Sequence, residues 1–148
     1  MSAADVRDQV ISLREDLAGI FVSHQVVLAY LFGSHAKGIG RPSSDVDIAV
    51  LIDPQVPEER WLDLHLQLAD ALSGALGREN LDVVLLNRAT GLLGMEVVRD
   101  GILLFEDPET MPASGFWSYA VRYYADTQHF RDISREYLEE WVAARSVK

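Results

Sequence analysis

The sequence predicts an α/β (α+β) fold in which helices flank a small mixed β-sheet. Short apolar segments with the composition of buried strands alternate along the chain with longer amphipathic segments of helical spacing. The 148 residues, of which 49% are apolar, suffice for one domain with a hydrophobic core. The chain contains no internal repeat and no linker, so residues 1–148 are expected to form a single domain.

The N-terminal segments are predicted to form one helix and two strands. Ala4–Ile20 places apolar residues three or four positions apart with charges between them, as in an amphipathic helix. Gln25–Phe32 is a short apolar run with two valines and a tyrosine, which favours a buried strand. Glycine and proline predict a loop or a frayed turn at residues 35–44, and Asp45–Ile52 is predicted to be the second strand.

The following segments continue the alternation of helix and strand. Glu58–Leu76 carries one apolar helical face, and Gly77 is placed to end that helix. Leu81–Leu86 is predicted to form a third strand, and Ala89–Arg99 another helix. Ile102–Phe105 is predicted to be a short edge strand.

A long C-terminal helix is predicted at about residues 115–145, and it is rich in aromatic side chains. It holds eight of the thirteen aromatic residues of the chain, and they spread over more than one face. Aromatic side chains on a helix pack on their own domain in most cases, whereas uncovered ones favour a protein partner. The sequence leaves both interpretations open.

Charge and composition narrow the functional classes. The net charge of −10 disfavours sequence-independent binding to nucleic acid, which needs a basic surface. The same acidity suits either a basic protein partner or simple solubility. The longest apolar stretch, Val26–Phe32, is too short to span a bilayer, and the chain has no cysteine. We therefore expect a cytoplasmic protein without a membrane segment.

The chemically informative segment starts where the first predicted strand ends in Gly33 and Ser34. Glycine allows a backbone to approach a ligand closely, and a turn or helix start after it exposes N–H groups that attract phosphate. The Ser34 hydroxyl adds a donor, and Lys37 adds a positive charge. Taken alone, a Gly-Ser pair is more often an ordinary turn.

Asp45 and Asp47 form the second part of the pattern. Two positions apart on a predicted strand, both carboxylates project to the same side, away from Val46 and Ile48. Such close like charges repel each other unless a cation neutralises them, and oxygen ligands suit magnesium or manganese. An isolated Asp-x-Asp is also common at solvated strand starts. The pair indicates a metal site only in combination with Gly33-Ser34 before it and Asp82 after it.

Asp82 is the candidate third carboxylate. It lies near the start of the third predicted strand, where an unpaired charge beside buried residues is costly. If that strand lies beside the Asp45 strand, Asp82 faces the same site and is placed to act as the base for an incoming hydroxyl. The four histidines show no metal-ligand spacing, and His35, the one near the site, is interpreted as a solvated loop residue.

Gly33-Ser34 followed by Ser44-Asp45-Val46-Asp47 resembles the signature of the DNA polymerase β-like nucleotidyltransferase superfamily. Within it, the short chain resembles the minimal nucleotidyltransferase (MNT) antitoxins, which are paired with HEPN-domain ribonuclease toxins. The resemblance covers most of the chain, including the Asp82 strand and the aromatic helix. It implies a polymerase β-like fold.

The resemblance also implies roles for the site residues. Gly33 and Ser34, with Lys37 and Ser44 as further candidates, would bind the triphosphate of ATP. Asp45, Asp47 and Asp82 would form a catalytic triad that holds two Mg²⁺ ions. Many relatives carry arginine at the position of Lys37, and lysine cannot grip phosphate with two parallel hydrogen bonds.

The implied reaction is transfer of AMP from ATP to a tyrosine of a HEPN-type toxin, which would neutralise it in a hetero-oligomeric complex. Two alternatives stay open from the sequence. One is a non-catalytic antitoxin that binds and covers its partner. The other is a nucleotidyltransferase for a small molecule such as an aminoglycoside, although such enzymes usually carry an extra substrate domain.

Overall fold

The computed structural model of the chain describes residues 3–146, except for the side chains of residues 3–5, 129–130, 134 and 145–146. The helices are α1 (Ala3–Ser12), α2 (Arg14–Ser23), α3 (Gly33–Ala36), α4 (Trp61–Leu76), α5 (Gly91–Asp100) and α6 (Ala113–Ser146). The strands are β1 (Val26–Phe32), β2 (Val46–Ile52), β3 (Leu81–Leu85) and β4 (Ile102–Glu106). Single 3₁₀ turns occupy Glu58–Arg60 and Leu86–Arg88.

The four strands form one mixed sheet in the order β3-β2-β1-β4. Strand β1 pairs antiparallel with β2 and β4, whereas β2 and β3 are parallel and connected through α4. A parallel pair requires such a crossover connection, and a helix usually supplies it. The predicted mixed sheet flanked by helices is confirmed, and β4 lies at an edge as expected.

Alternation along β2 divides the core between the two faces of the sheet. Val46, Ile48 and Val50 belong to the cluster that also buries residues of α1, α2 and α4. Ala49 belongs to a second cluster, formed with residues of α5 and α6 on the opposite face. Because side chains alternate along a strand, Asp47 lies on the same face as Ala49.

The single N-terminal helix predicted at Ala4–Ile20 is wrong in one respect, because the helix is interrupted at Leu13. There the backbone turns (φ −92°, ψ 7°) and α2 begins at the next residue. Val6 and Val10 of α1 and Leu17 and Phe21 of α2 are nevertheless all buried. The apolar spacing is the same on both sides of the break, so the spacing alone did not reveal it.

The start of β2 differs from the prediction by one residue. Asp45 lies just before β2 rather than in it. The one-turn helix α3 is the helix start that was one of the expectations after β1, and it extends into the predicted loop or frayed turn at residues 35–44. By contrast, Gly77 ends α4 with left-handed backbone angles (φ 64°, ψ 33°), as its position predicted.

The C-terminal helix is only partly covered by the rest of the chain. Phe116 and Ala120 are buried where the N-terminal half of α6 packs on α5. Exposed aromatic side chains include Trp117, Tyr119, Tyr123, Tyr137 and Trp141, each between 37% and 70% accessible. Within residues 3–146, no helix combines the length and hydropathy that crossing a bilayer requires.

Candidate active site

The predicted carboxylates and Gly33 meet at the end of the sheet where β1 ends and β2 and β3 begin. Phe32, the last residue of β1, pairs with Asp47, and Asp47 pairs in register with Asp82 on the parallel strand β3. Neighbouring strands lie about 4.8 Å apart, and paired residues point to the same face. The sheet order therefore places Asp47 and Asp82 side by side, as predicted, with Asp45 immediately before β2.

Gly33 lies directly against the Asp47 carboxylate. It adopts φ +75°, a conformation that L side chains rarely take, and a Cβ there would collide with Asp47 Oδ2. Both the backbone conformation and the available space thus require glycine at this position. The close approach explains why glycine follows β1 immediately.

The electrostatics of the site centre on Asp47. Burial, and then the negative charges of Asp82 and Asp45, raise the pKa of Asp47 from 3.8 to about 6. Glu96 of α5 adds to this effect, whereas His35 opposes it. Because neighbouring carboxylates destabilise the charged form, a bound cation would find an uncompensated negative potential here.

The donor set fits a hard divalent cation, although the protein does not form a closed cage. Among the described residues, no three His, Asp or Glu side chains stand close enough together to hold a metal ion. Asp45 and Asp82 are exposed and Asp47 is partly buried. Mg²⁺ typically takes only one or two protein carboxylates and completes its shell with water and substrate phosphates. The open carboxylate group matches that mode of binding.

The remaining sequence-predicted residues, Ser34, Lys37 and Ser44, lie in the segment that connects β1 to β2. The Ser34 carbonyl accepts hydrogen bonds from the backbone N–H groups of Ile39 (3.0 Å) and Gly40 (3.1 Å), which folds the loop back over α3. The Ser44 hydroxyl accepts from the Arg41 N–H at 2.9 Å and so closes a turn.

Lys37 is directed toward helix α5 in this structure. Its Nζ lies 3.7 Å from Glu96 Oε1 and 3.8 Å from Asp100 Oδ2, and all three side chains are partly exposed. Exposed ion pairs of this length contribute little stability. The contact links the segment that follows α3 to α5.

The interpretation of His35 as a solvated loop residue is wrong, because its side chain is fully buried. His35 lies in α3, beneath the loop that leads to Asp45, and its Nε2 lies 3.1 Å from the Ser44 carbonyl oxygen. Arg78 reaches the same carbonyl from the turn after α4. Sequence reasoning missed Arg78, since no local pattern connects that turn to the Asp45 loop.

Comparison with known proteins agrees with this geometry. The family model described as Polymerase beta, Nucleotidyltransferase matches residues 15–110. The protein adenylyltransferase MntA of Aphanizomenon flos-aquae is 38% identical over 88 residues, which are 53% of this chain and 55% of that protein. The chain thus matches about half the length of that relative. The protein adenylyltransferase MntA of Shewanella oneidensis is 30% identical over 125 residues, which are 82% of this chain and 80% of that protein.

Solved structures show the same fold. A chain from a crystal structure of a toxin–antitoxin with AMP-PNP superposes with a TM-score of 0.69 at 25% identity, covering 85% of this chain and 98% of that chain. A chain from the complex of tri-AMPylated Shewanella oneidensis HEPN toxin with MNT antitoxin gives a TM-score of 0.64 at 23% identity, covering 85% and 95% respectively. The second similarity concerns the fold alone.

The glycine turn and the carboxylates at one edge of a mixed sheet are the features of a nucleotidyltransferase domain. With the family model matched over residues 15–110 and the Shewanella relative over most of both chains, the chain belongs to the polymerase β-type nucleotidyltransferase family, alongside the protein adenylyltransferases named MntA.

Proposed function

We propose that this chain is the antitoxin of a toxin–antitoxin pair and transfers AMP from ATP, with Mg²⁺, to a tyrosine hydroxyl of a HEPN-type ribonuclease toxin. The observation that carries the proposal is the pairing of Asp47 with Asp82 in register, against Gly33, with the pKa of Asp47 raised to about 6 by burial and by its carboxylate neighbours. The adenylyltransferase relatives and the AMP-PNP complex support it.

In the proposed reaction, the acceptor oxygen forms a bond to the α-phosphorus of ATP. The bond from that phosphorus to the bridging oxygen breaks, and pyrophosphate leaves with the electron pair. Mg²⁺, bound by Asp45 and Asp47, would neutralise charge on the phosphates. Asp82 is exposed beside Asp47 and accepts the proton of the acceptor hydroxyl. Gly33 and Ser34 position the triphosphate, and Lys37 adds charge if the nucleotide draws it from α5.

The test is labelling of the partner toxin with ATP carrying ³²P at the α-phosphate, in the presence of Mg²⁺. We expect label on the toxin with the wild-type chain and none with the double variant Asp45→Asn, Asp47→Asn. A matched control is Asp53→Asn, since Asp53 lies at the opposite end of β2. Labelling that persists in the double variant would exclude the proposed site.

A second candidate function, neutralisation by covering the toxin without chemistry, is favoured by the exposed apolar side chains of α6. Tyr137 and Leu138, in the C-terminal half of α6, are 70% and 59% exposed. Expression of the toxin with the double Asn variant separates the two functions. Rescue of growth by the variant would favour covering, whereas loss of rescue would favour transfer of AMP.

A further inference from the structure

The carbonyl oxygen of Ser44 receives two side-chain donors from distant parts of the chain. His35 Nε2 of α3 lies 3.1 Å from it, and Arg78 Nη2, from the turn after α4, lies 3.1 Å from it. Since a carbonyl oxygen only accepts, the Nε2 nitrogen of His35 must carry the hydrogen. Two donors thus converge on the peptide group that precedes Asp45.

Burial of the His35 imidazole costs free energy that a solvent-exposed histidine would not lose. Its side chain is fully buried, and its Nδ1 has no hydrogen-bond partner among the described residues. Gly40 makes room for it, because a Cβ at Gly40 would lie 2.8 Å from His35 Nδ1. Burying a polar ring with one nitrogen unpaired is unfavourable, so the bond to Ser44 is the polar contact that this placement gains.

Side chains of the turn after α4 donate hydrogen bonds to three consecutive carbonyl groups of the loop before Asp45. Arg78 Nη2 also donates to the Pro42 carbonyl at 2.8 Å, and Asn80 Nδ2 donates to the Ser43 carbonyl at 2.9 Å. The Arg78 Nε is buried and has no hydrogen-bond partner within the part of the chain that the structure describes, so the polar contacts of this side chain are those of Nη2. The loop is therefore attached from both sides, by α3 and by the turn between α4 and β3.

The position of Asp45 depends on this attachment. Asp45 lies outside the β-ladder and is exposed, so no strand pairing fixes its backbone. The Ser44 carbonyl and the Asp45 N–H belong to one planar peptide group. Hydrogen bonds that hold the Ser44 oxygen therefore also hold the backbone N and Cα of Asp45. A small displacement of a metal ligand lowers the rate far more than it lowers stability.

We propose that His35 and Arg78 are positioning residues for nucleotide transfer, which together hold the Ser44 peptide and so aim Asp45 into the site. The inference rests on the proposed function of Asp45 and Asp47 as ligands of the cation. It predicts that removing either donor misplaces Asp45 while the fold and the remaining carboxylates persist.

The test compares His35→Leu, which keeps an apolar side chain of similar size, with His35→Gln, which keeps a donor near the position of Nε2. Arg78→Met keeps the aliphatic stem without the guanidinium and serves if His35→Leu does not fold. His24→Leu and Arg88→Met are matched controls, because His24 bonds the Ile20 carbonyl in its own helix and Arg88 pairs with exposed Glu58. Each variant is first checked for a cooperative unfolding transition well above the assay temperature.

Binding of Mn²⁺ to the protein with AMP-PNP, followed by electron paramagnetic resonance, is the first readout. We expect about tenfold weaker Mn²⁺ binding in His35→Leu and in Arg78→Met, and binding within about threefold of wild type in His35→Gln and both controls. Wild-type binding in a folded His35→Leu and Arg78→Met would overturn the inference. Equal losses in His35→Gln and His35→Leu would also overturn the assigned role of the donor.

Transfer of labelled AMP to the toxin is the second readout. We expect kcat to fall by about 10²-fold in His35→Leu, with KM for ATP changed by less than about threefold. If the wild-type chain binds Mn²⁺ with AMP-PNP but labels no toxin, the proposed function fails, and the binding comparison still decides the positioning role. If the wild type labels the toxin and the variants do so equally well, the positioning role fails alone.

Discussion

Replacing Asp47 by Asn should stabilise the protein in the absence of metal while abolishing its activity. The pKa of Asp47 is raised from 3.8 to about 6 by burial and by the charges of Asp82 and Asp45, and no described residue donates a hydrogen bond to its side chain. Ionised Asp47 therefore destabilises the folded state near neutral pH. Asn has nearly the same shape, fits beside Gly33 in the same way and carries no charge.

The magnitude follows from the shift of the pKa. A rise of about two units corresponds to about 3 kcal/mol at full burial, since each unit is worth about 1.4 kcal/mol. Asp47 is only partly buried, so screening by solvent reduces the expected gain to about 1–2 kcal/mol. Because the folded pKa lies above the unfolded one, the folded state retains the proton more strongly. The free energy of unfolding of the wild type therefore falls as pH rises from about 4 to about 6.

The assay is urea unfolding of wild type and Asp47→Asn at several pH values from 4 to 8, with a chelator present. The difference in the free energy of unfolding should be small at pH 4, grow through pH 5 and 6, and level off above about pH 6.5. Other titrating groups are common to both proteins and largely cancel in the difference. A variant that is less stable than wild type at pH 8, or a difference that does not vary with pH, would refute the electrostatic reasoning.

Three further substitutions test neighbouring features of the structure. Gly33→Ala should lower stability by about 1–3 kcal/mol and lower AMP transfer at least about 10²-fold, because Gly33 has a positive φ and lies against Asp47. The control Gly74→Ala, in α4 where an added Cβ would meet no neighbouring group within 4 Å, should stabilise the protein by about 0.5–1 kcal/mol. Urea unfolding and labelling of the toxin measure both variants. Asp82→Asn should lower kcat by about 10²-fold or more and should also lower the pKa of Asp47. A ¹³C-detected NMR titration of the Asp47 carboxyl measures that pKa. An unchanged Asp47 titration would contradict the observed register of β2 and β3. The double variant Tyr137→Ser, Leu138→Ser should unfold at the wild-type temperature yet weaken association with the toxin in gel filtration, whereas unchanged association would place the docking surface elsewhere on the chain.

Much of the fold and the centre of the site follow from short-range sequence patterns. The strand at Val26–Phe32, the glycine that follows it, and the alternation that separates Asp47 from Val46 and Ile48 are local properties of the chain. They are predictable because strand period and turn chemistry depend on neighbouring residues only. The end of α4 at Gly77 was predicted for the same reason.

The prediction of Asp82 depended on a condition that the sequence left open, namely that its strand lies beside β2. The sheet order β3-β2-β1-β4 meets that condition and pairs Asp82 with Asp47. The division of α6 into a covered and an exposed part was equally undecided, since aromatic residues on several faces suit both core and interface. Phe116 is buried and Tyr137 is exposed because α5 is too short to cover the whole of α6.

The amino-acid sequence by itself therefore determined the kinds of elements, the glycine turn and the carboxylate pair, since each is encoded within about ten residues. Only the tertiary structure decided that α1 and α2 separate at Leu13, that Asp82 stands beside Asp47, and that His35 is buried with Arg78 against the Ser44 carbonyl. The physical reason is that burial and sheet register arise from contacts between distant segments. The pKa of Asp47 has the same origin, because it depends on the charge of a residue on another strand.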